Sequence, residues 1–297
     1  MAQESGLTRE VQPSEGVCLE LQGHVSPSER INDFSGGAPG WLSDLWHYRE
    51  LLFFLAWRDF RLRYRQTLLG ILWALIQPLF TMIVFTLLFG KVVQVPSDGM
   101  PYPVFYYAAL LPWIYFSNVV SLSATSVISN ASLITKVYFP RVFLPVSPAL
   151  TGLVDLGIGS LLLLGLIPWY GLPFTWKLAL WPVLVLLLFI LALSVGALLA
   201  AWNVRYRDIK HALPLVIQLW LYATPIIYPL SLVPERFRML ALLNPLTGIV
   251  EAFRASCSPS LSVNWPALIA SVAVIGILLV VSFFHFTKLE REFADIA

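Results

Sequence analysis

The chain has 297 residues, 58% of them hydrophobic and only 12% charged, with a formal net charge of +2. Soluble domains carry about twice that charged fraction, so most of this chain must avoid water by sitting in lipid. The near-neutral balance gives no reason to invoke nucleic acid as a partner.

Residues 1–40 are polar, rich in Gly, Ser and Pro, and carry Glu4, Glu15, Glu20, Glu29 and Asp33. Such a stretch buries too little apolar surface to offset its ordering entropy, so a disordered tail is expected. No basic segment precedes an apolar run here, and no signal peptide is expected. Residues 41–66 read as an interfacial region. Trp41, Trp46 and Trp57 flank a segment too polar to span, which suits an amphipathic helix among the headgroups. Arg58, Arg61, Arg63 and Arg65 follow, and Arg58, Arg61 and Arg65 share one helical face.

Six apolar stretches occupy 67–297: 67–93, 104–128, 142–169, 178–202, 212–228 and 265–287. Each lies near the roughly 20 residues that cross a bilayer as a helix. Backbone in lipid must satisfy its own hydrogen bonds, so the expected fold is an all-α integral membrane protein of six spans. With the N-terminus inside, the inner flanks hold eleven basic residues: Arg58, Arg61, Arg63, Arg65, Lys136, Arg141, Arg205, Arg207, Lys210, Lys288 and Arg291. The outer flanks hold five: Lys91, Lys177, Arg236, Arg238 and Arg254. The positive-inside rule therefore puts both termini in the cytoplasm. Cys18 and Cys257 fall on opposite sides, so they cannot pair within one chain, and neither has metal-site spacing.

Three segments exceed a generic six-span pattern. The connection 130–141 carries Lys136 and Arg141, yet presents Leu133, Ile134, Val137, Tyr138 and Phe139 together. A water-exposed loop has little reason to do so, and an amphipathic helix offered to a partner fits better. Within the spans, Ser117, Ser121, Thr125 and Ser129 recur at i+4 beside Asn118, a stripe that suits close helix packing. Asp155 lies near the middle of the third span with Gly152 and Gly159 on its side, and must face protein or a wet cavity. Gln218 and Tyr222 share a face of the fifth span. The outer segment 229–264 is too apolar for a free loop and too interrupted for two spans. Asn244-Pro245 reads as an N-cap and first helical residue, Glu251 and Arg254 as an i,i+3 pair, and the whole as a re-entrant hairpin.

The sequence contains no GxxxxGK[ST] loop, so ATP is not bound by that route. It shows no metal-ligand cluster and no catalytic set, and the expectation is a protein that is not an enzyme. Asp155 and His285 are the only ionisable residues well inside the spans, which is thin for a proton or sodium relay.

Several runs, taken in order, carry a resemblance: YRELL at 48–52, WRDFRLRYRQTLLGILWALIQP at 57–78, LPWIYFSN at 111–118, NASLITKVYFP at 130–140 and NVRYRD at 203–208. From about residue 41 to the end, the chain resembles the ABC-2 type permeases of polysaccharide ABC exporters, which include O-antigen, teichoic-acid and capsule exporters. The resemblance implies a homodimer in the bacterial inner membrane, bound to two copies of a separate ATPase. ATP and Mg would then sit on that ATPase, and this chain would hold no cofactor. It also implies that the helix bearing Arg58, Arg61 and Arg65 packs at the cytoplasmic gate. Residues 130–141, with Leu133, Ile134, Lys136, Val137, Tyr138 and Phe139, would dock into the ATPase as a coupling helix. The implied substrate is a glycan on an isoprenoid pyrophosphate lipid.

A sugar chain offers apolar C–H faces to aromatic rings, which bind through area and so permit sliding. Where aromatic and polar residues share a predicted inner face, the candidates for such a path are Trp73, Trp113, Tyr115, Phe116 and Tyr222, with Gln218. Two other functions compete. A drug or lipid exporter of the same fold would need a smaller, less aromatic path. A membrane-embedded glycan-processing enzyme would need a catalytic carboxylate or histidine set, which is absent from the sequence.

Overall fold

The computed structural model describes residues 48–65, 70–136, 139–206 and 208–290. The expected tail 1–40 lies outside them, as do Trp41, Trp46, Val137, Tyr138, Arg207 and Arg291. Among the described residues every regular element is a helix. In chain order these are α1 (Arg49–Tyr64), α2 (Trp73–Phe85), α3 (Tyr102–Ser129), α4 (Ala131–Ile134), α5 (Phe143–Trp169), α6 (Trp181–Arg205), α7 (Ile209–Ala223), α8 (Glu235–Leu243), α9 (Pro245–Cys257) and α10 (Trp265–Glu290). Helix α2 continues in wider turns over Thr86–Val92.

Among the described residues, five helical stretches are long and apolar enough to cross a membrane: Trp73–Val92, Tyr102–Ser129, Phe143–Trp169, Trp176–Arg205 and Trp265–Leu289. The stretch expected as the fifth span forms α7, which has only 15 residues. At a rise of 1.5 Å per residue it covers about 22 Å, short of the roughly 30 Å hydrocarbon core. Pro225 is the reason it stops. A residue before proline is pushed out of the helical region, and Thr224 is extended at φ −96°, ψ 138°.

Helix α3 stands at the centre. It packs most extensively on α6 and α5, with α9, α2 and α7 also against it, and eighteen of its 28 residues are buried. Its neighbours approach closely through small residues. A Cβ on Gly159 would strike Leu111, and one on Gly196 would strike Ser123. Membrane helices associate through this kind of contact, because lipid gives them no hydrophobic drive to pair. Apolar side chains on the outside, such as Phe80 and Ile83 of α2, remain exposed.

The serine stripe behaves differently from expectation. Ser121 and Thr125 donate to carbonyls of their own helix, Ser121 to Ser117 at 2.7 Å and Thr125 to Leu122 at 3.2 Å. Close packing instead uses the neighbouring face, where Ser123 is fully buried and donates to the Pro145 carbonyl at 2.9 Å. The i+4 spacing correctly defines a face of α3, but both faces carry hydroxyls, and the more buried face is the one without the repeat.

Candidate functional site

Helix α1 lies along the first half of α5. Leu55 is its buried residue, the Thr151 hydroxyl donates to the Ala56 carbonyl at 3.2 Å, and the Ser147 hydroxyl donates to Asp59 Oδ2 at 2.6 Å. At its C-terminal end, Arg63 and Tyr64 both donate to the carboxylate of Asp155. A carboxylate halfway along a membrane-length helix needs such partners, and an arginine plus a phenol supply them. Burial, then the hydrogen bond and charge of Asp155, push the Tyr64 phenol up to about 12 from its ordinary 10.0. A raised phenol pKa favours the protonated form, so Tyr64 remains a donor throughout the physiological range.

These three residues stand at one edge of a cavity of about 430 Å³ enclosed by α1, α2, α3 and α5. Its polar wall continues through Gln77, Asn118 and Ser121, while Trp73 and Tyr115 contribute aromatic surface. Because Arg63 is paired with Asp155, the charges there cancel. Most of the remaining surface is apolar, from Pro78, Leu111, Ile114, Leu122 and Leu156, so amides, hydroxyls and rings punctuate a largely aliphatic wall with no net charge from that pair. Such a lining suits an uncharged molecule with apolar faces better than a free ion.

The predicted aromatic set is divided among three environments. Trp73 lines the cavity and is half exposed. Tyr115 is buried, touches the cavity and donates its hydroxyl to the Ala149 carbonyl at 3.0 Å. Trp113 and Phe116 are core residues, 6% and 0% exposed, and Phe116 meets the Trp220 ring edge-on at 5.1 Å. They present no open face within this chain. Helix α7 packs Leu213 inward, which leaves Gln218 and Tyr222 on its exposed side. They do not reach the cavity lining.

The basic face of α1 is also divided. Arg58 binds Asp59 at 2.8 Å and Asn130 Oδ1 at 2.9 Å. Arg61 is exposed, with its guanidinium 5.2 Å from the Trp57 ring centre, and Arg65 is exposed. The deep contact comes from Arg63, off the predicted face. Among the described residues of the 130–141 connection, helix is confined to the single turn α4, where Leu133 and Ile134 are half-buried, and Lys136 beyond it is exposed. Phe139 is 4% exposed. Its burial anchors the connection to its own chain, where the chain turns back into the bundle to begin α5.

The opposite end of the bundle holds a residue whose role sequence reasoning missed. Asn244 caps α9, accepting from the Leu246 amide at 3.1 Å, and Glu251 pairs with Arg254 at 2.9 Å, both as the spacing predicts. Arg254 does more: at 1% exposure it donates to the carbonyls of Pro225 at 2.7 Å and Ile226 at 2.6 Å. Its guanidinium also lies 3.8 Å from the centre of the Phe105 ring. It thereby satisfies the backbone left unpaired where α7 unwinds and fastens that strand of chain to α3 and α9. Asn244 adds a bond to the Thr224 hydroxyl at 2.8 Å. The signal was present in the sequence: a proline-stopped helix leaves carbonyls that need a donor, and Arg254 is the one cation of α9.

Membrane-length apolar helices around a buried central helix define a polytopic membrane protein. Residues 50–257 match the family of the ABC-2 type transporter, and the chain belongs to that family. It is 36% identical over 255 residues to the O-antigen export system permease protein RfbA of Myxococcus xanthus, covering 85% of this chain and 97% of that one. It is 29% identical over 256 residues to the RfbA permease of Klebsiella pneumoniae, covering 83% and 95%. The polysialic acid transport protein KpsM of Escherichia coli is 25% identical over 245 residues, covering 75% and 89%.

Proposed function

We propose that this chain is the permease subunit of an ABC exporter that carries lipid-linked polysaccharide across the bacterial inner membrane. The observation that carries this reading is the near full-length similarity to the O-antigen export permease of Myxococcus xanthus. The cavity, largely apolar with the rings of Trp73 and Tyr115 and the amides of Gln77 and Asn118 among its lining, is consistent with the C–H faces and hydroxyls of a sugar cargo. On this reading a separate ATPase, present in two copies, holds ATP and Mg and supplies the energy. Two permease chains pair to enclose a path wide enough for a glycan, closed two-fold pairing being the commonest way to build one from identical chains. Helix α7 and the unwound chain beyond it complete a sixth crossing, α8 and α9 form the outer hairpin, and both termini are cytoplasmic. Trp73 and Tyr115 belong to the sugar path within one protomer, and Gln218 and Tyr222 reach it where two protomers meet. Deleting the gene should leave lipid-linked polymer on the cytoplasmic face of the inner membrane and none at the cell surface. Normal surface polymer in the deletion strain would remove this function.

The segment 130–141 is the coupling element of this assembly. A carboxylate placed on its apolar side would have to be desolvated against the ATPase, at several kcal/mol if unpaired. Val137→Asp is therefore expected to leave the permease inserted but to cut its co-purification with the ATPase at least tenfold. Wild-type recovery of the ATPase on Val137→Asp would reduce the segment to an ordinary connection.

A further inference from the structure

We propose that Arg58 is the joint through which movement of the 130–141 segment reaches the cavity. The inference rests on the reading of that segment as the coupling element, and adds the route by which its motion travels.

Asn130 is where α3 ends, at φ −112°, ψ 22°. Its side-chain amide caps its own helix by donating to the Ser126 carbonyl at 2.8 Å. That leaves Oδ1, which accepts from Arg58 Nη2 at 2.9 Å. The same guanidinium holds Asp59 Oδ1 through Nε at 3.0 Å and Nη2 at 2.8 Å, and Asp59 Oδ2 accepts the Ser147 hydroxyl at 2.6 Å. Asn130 begins the segment, and Ser147 stands in the first turns of the helix that follows it. Both flanks are thus tied to consecutive residues of α1.

Five residues further along α1 comes Arg63, then Tyr64, which hold Asp155 at the cavity edge. The intervening helix is rigid and about 7.5 Å long. A displacement of the segment therefore moves α1, and α1 carries the donors of Asp155 with it. The joint is only part-buried, with Arg58 and Asp59 side chains 33% and 26% exposed. Bonds in such a place exchange with water at modest cost, which a moving contact requires. Arg58 acts here as a positioning residue. It touches no cavity atom, and its effect passes through α1.

The test is a double-mutant cycle on the permease co-purified with its ATPase in proteoliposomes, reading polysaccharide moved per ATP hydrolysed. Arg58→Ala and Asn130→Ala should each lower that ratio about tenfold, the scale of a lost hydrogen bond to a charged group. The double variant should be no worse than either single one, and the ATPase should co-purify normally throughout. Arg58→Gln, which keeps most of the side-chain volume, should show the same loss. Asn130→Asp, which still offers Arg58 an acceptor, should retain most of the wild-type ratio. An unchanged ratio in the single variants, or losses that multiply in the double variant, would overturn the joint. That failure is separable from failure of the coupling reading itself, which Val137→Asp reports through loss or retention of the ATPase.

Discussion

Replacing Arg254 with methionine is expected to be among the most damaging single changes in the chain. The guanidinium fills a fully buried site between the Phe105 ring and the carbonyls of Pro225 and Ile226, and pairs with Glu251. Methionine fills similar space but leaves two carbonyls without a donor and one carboxylate without its cation. Breaking a buried, hydrogen-bonded pair from one side costs about 3–5 kcal/mol. Thermal unfolding of the purified permease in detergent should show the loss directly. Arg254→Lys should rescue little, because one ammonium cannot reproduce a planar fork that reaches several acceptors at once. Arg254→Met combined with Glu251→Gln should recover part of the loss by removing the orphaned carboxylate. An Arg254→Met protein as stable as wild type would mean that the unwound chain after α7 finds its partners elsewhere.

The second large effect is expected at the Arg63–Asp155–Tyr64 cluster. Arg63→Leu strands a carboxylate on a membrane-length helix, whereas Asp155→Leu leaves a long cation that can turn toward water. Arg63→Leu should therefore be the worse of the two. The side chains are 26% and 22% exposed, so solvent screens the pair, and about 1–3 kcal/mol is expected rather than the cost of a dry ion pair. Combining Arg63→Leu with Asp155→Leu should restore most of the stability, since neither charge is then left alone. Export should not recover with it, because the cavity loses polar wall. Full export by the double variant would show that the cluster serves the fold only. Melting curves and surface polymer measured on the same three variants separate these outcomes.

Much of this architecture was legible from residue patterns. The apolar runs at 104–128, 142–169, 178–202 and 265–287 each fall within or nearly match a long helix. Asn244-Pro245 started a helix because that pair supplies a capping oxygen and a preset φ, both local properties. Long-range contacts were less accessible. Arg63 and Asp155 are 92 positions apart, and the face rule selected Arg58, Arg61 and Arg65 because they align, not because they had a partner. The span carboxylate demanded a cation, and spacing alone could not say which of four neighbouring arginines would reach it. The aromatic set was divided for a different reason. In a bilayer, apolar side chains face lipid as readily as the protein interior, so periodicity does not separate Trp113 and Phe116 in the core from Trp73 at a cavity. The length of α7 was also obscured, since the apolar run continues through Pro225 after the helix has ended.

Polysaccharide export is most directly tested by reconstituting the permease with its ATPase in proteoliposomes loaded with lipid-linked polysaccharide on the ATP-accessible face. Appearance of polymer on the opposite face is then measured with a glycan-specific label. Translocation should require ATP and both subunits, and should fail with Val137→Asp. Polymer that stays in place while the same complex moves a small drug or an unglycosylated lipid would contradict polysaccharide export by this permease.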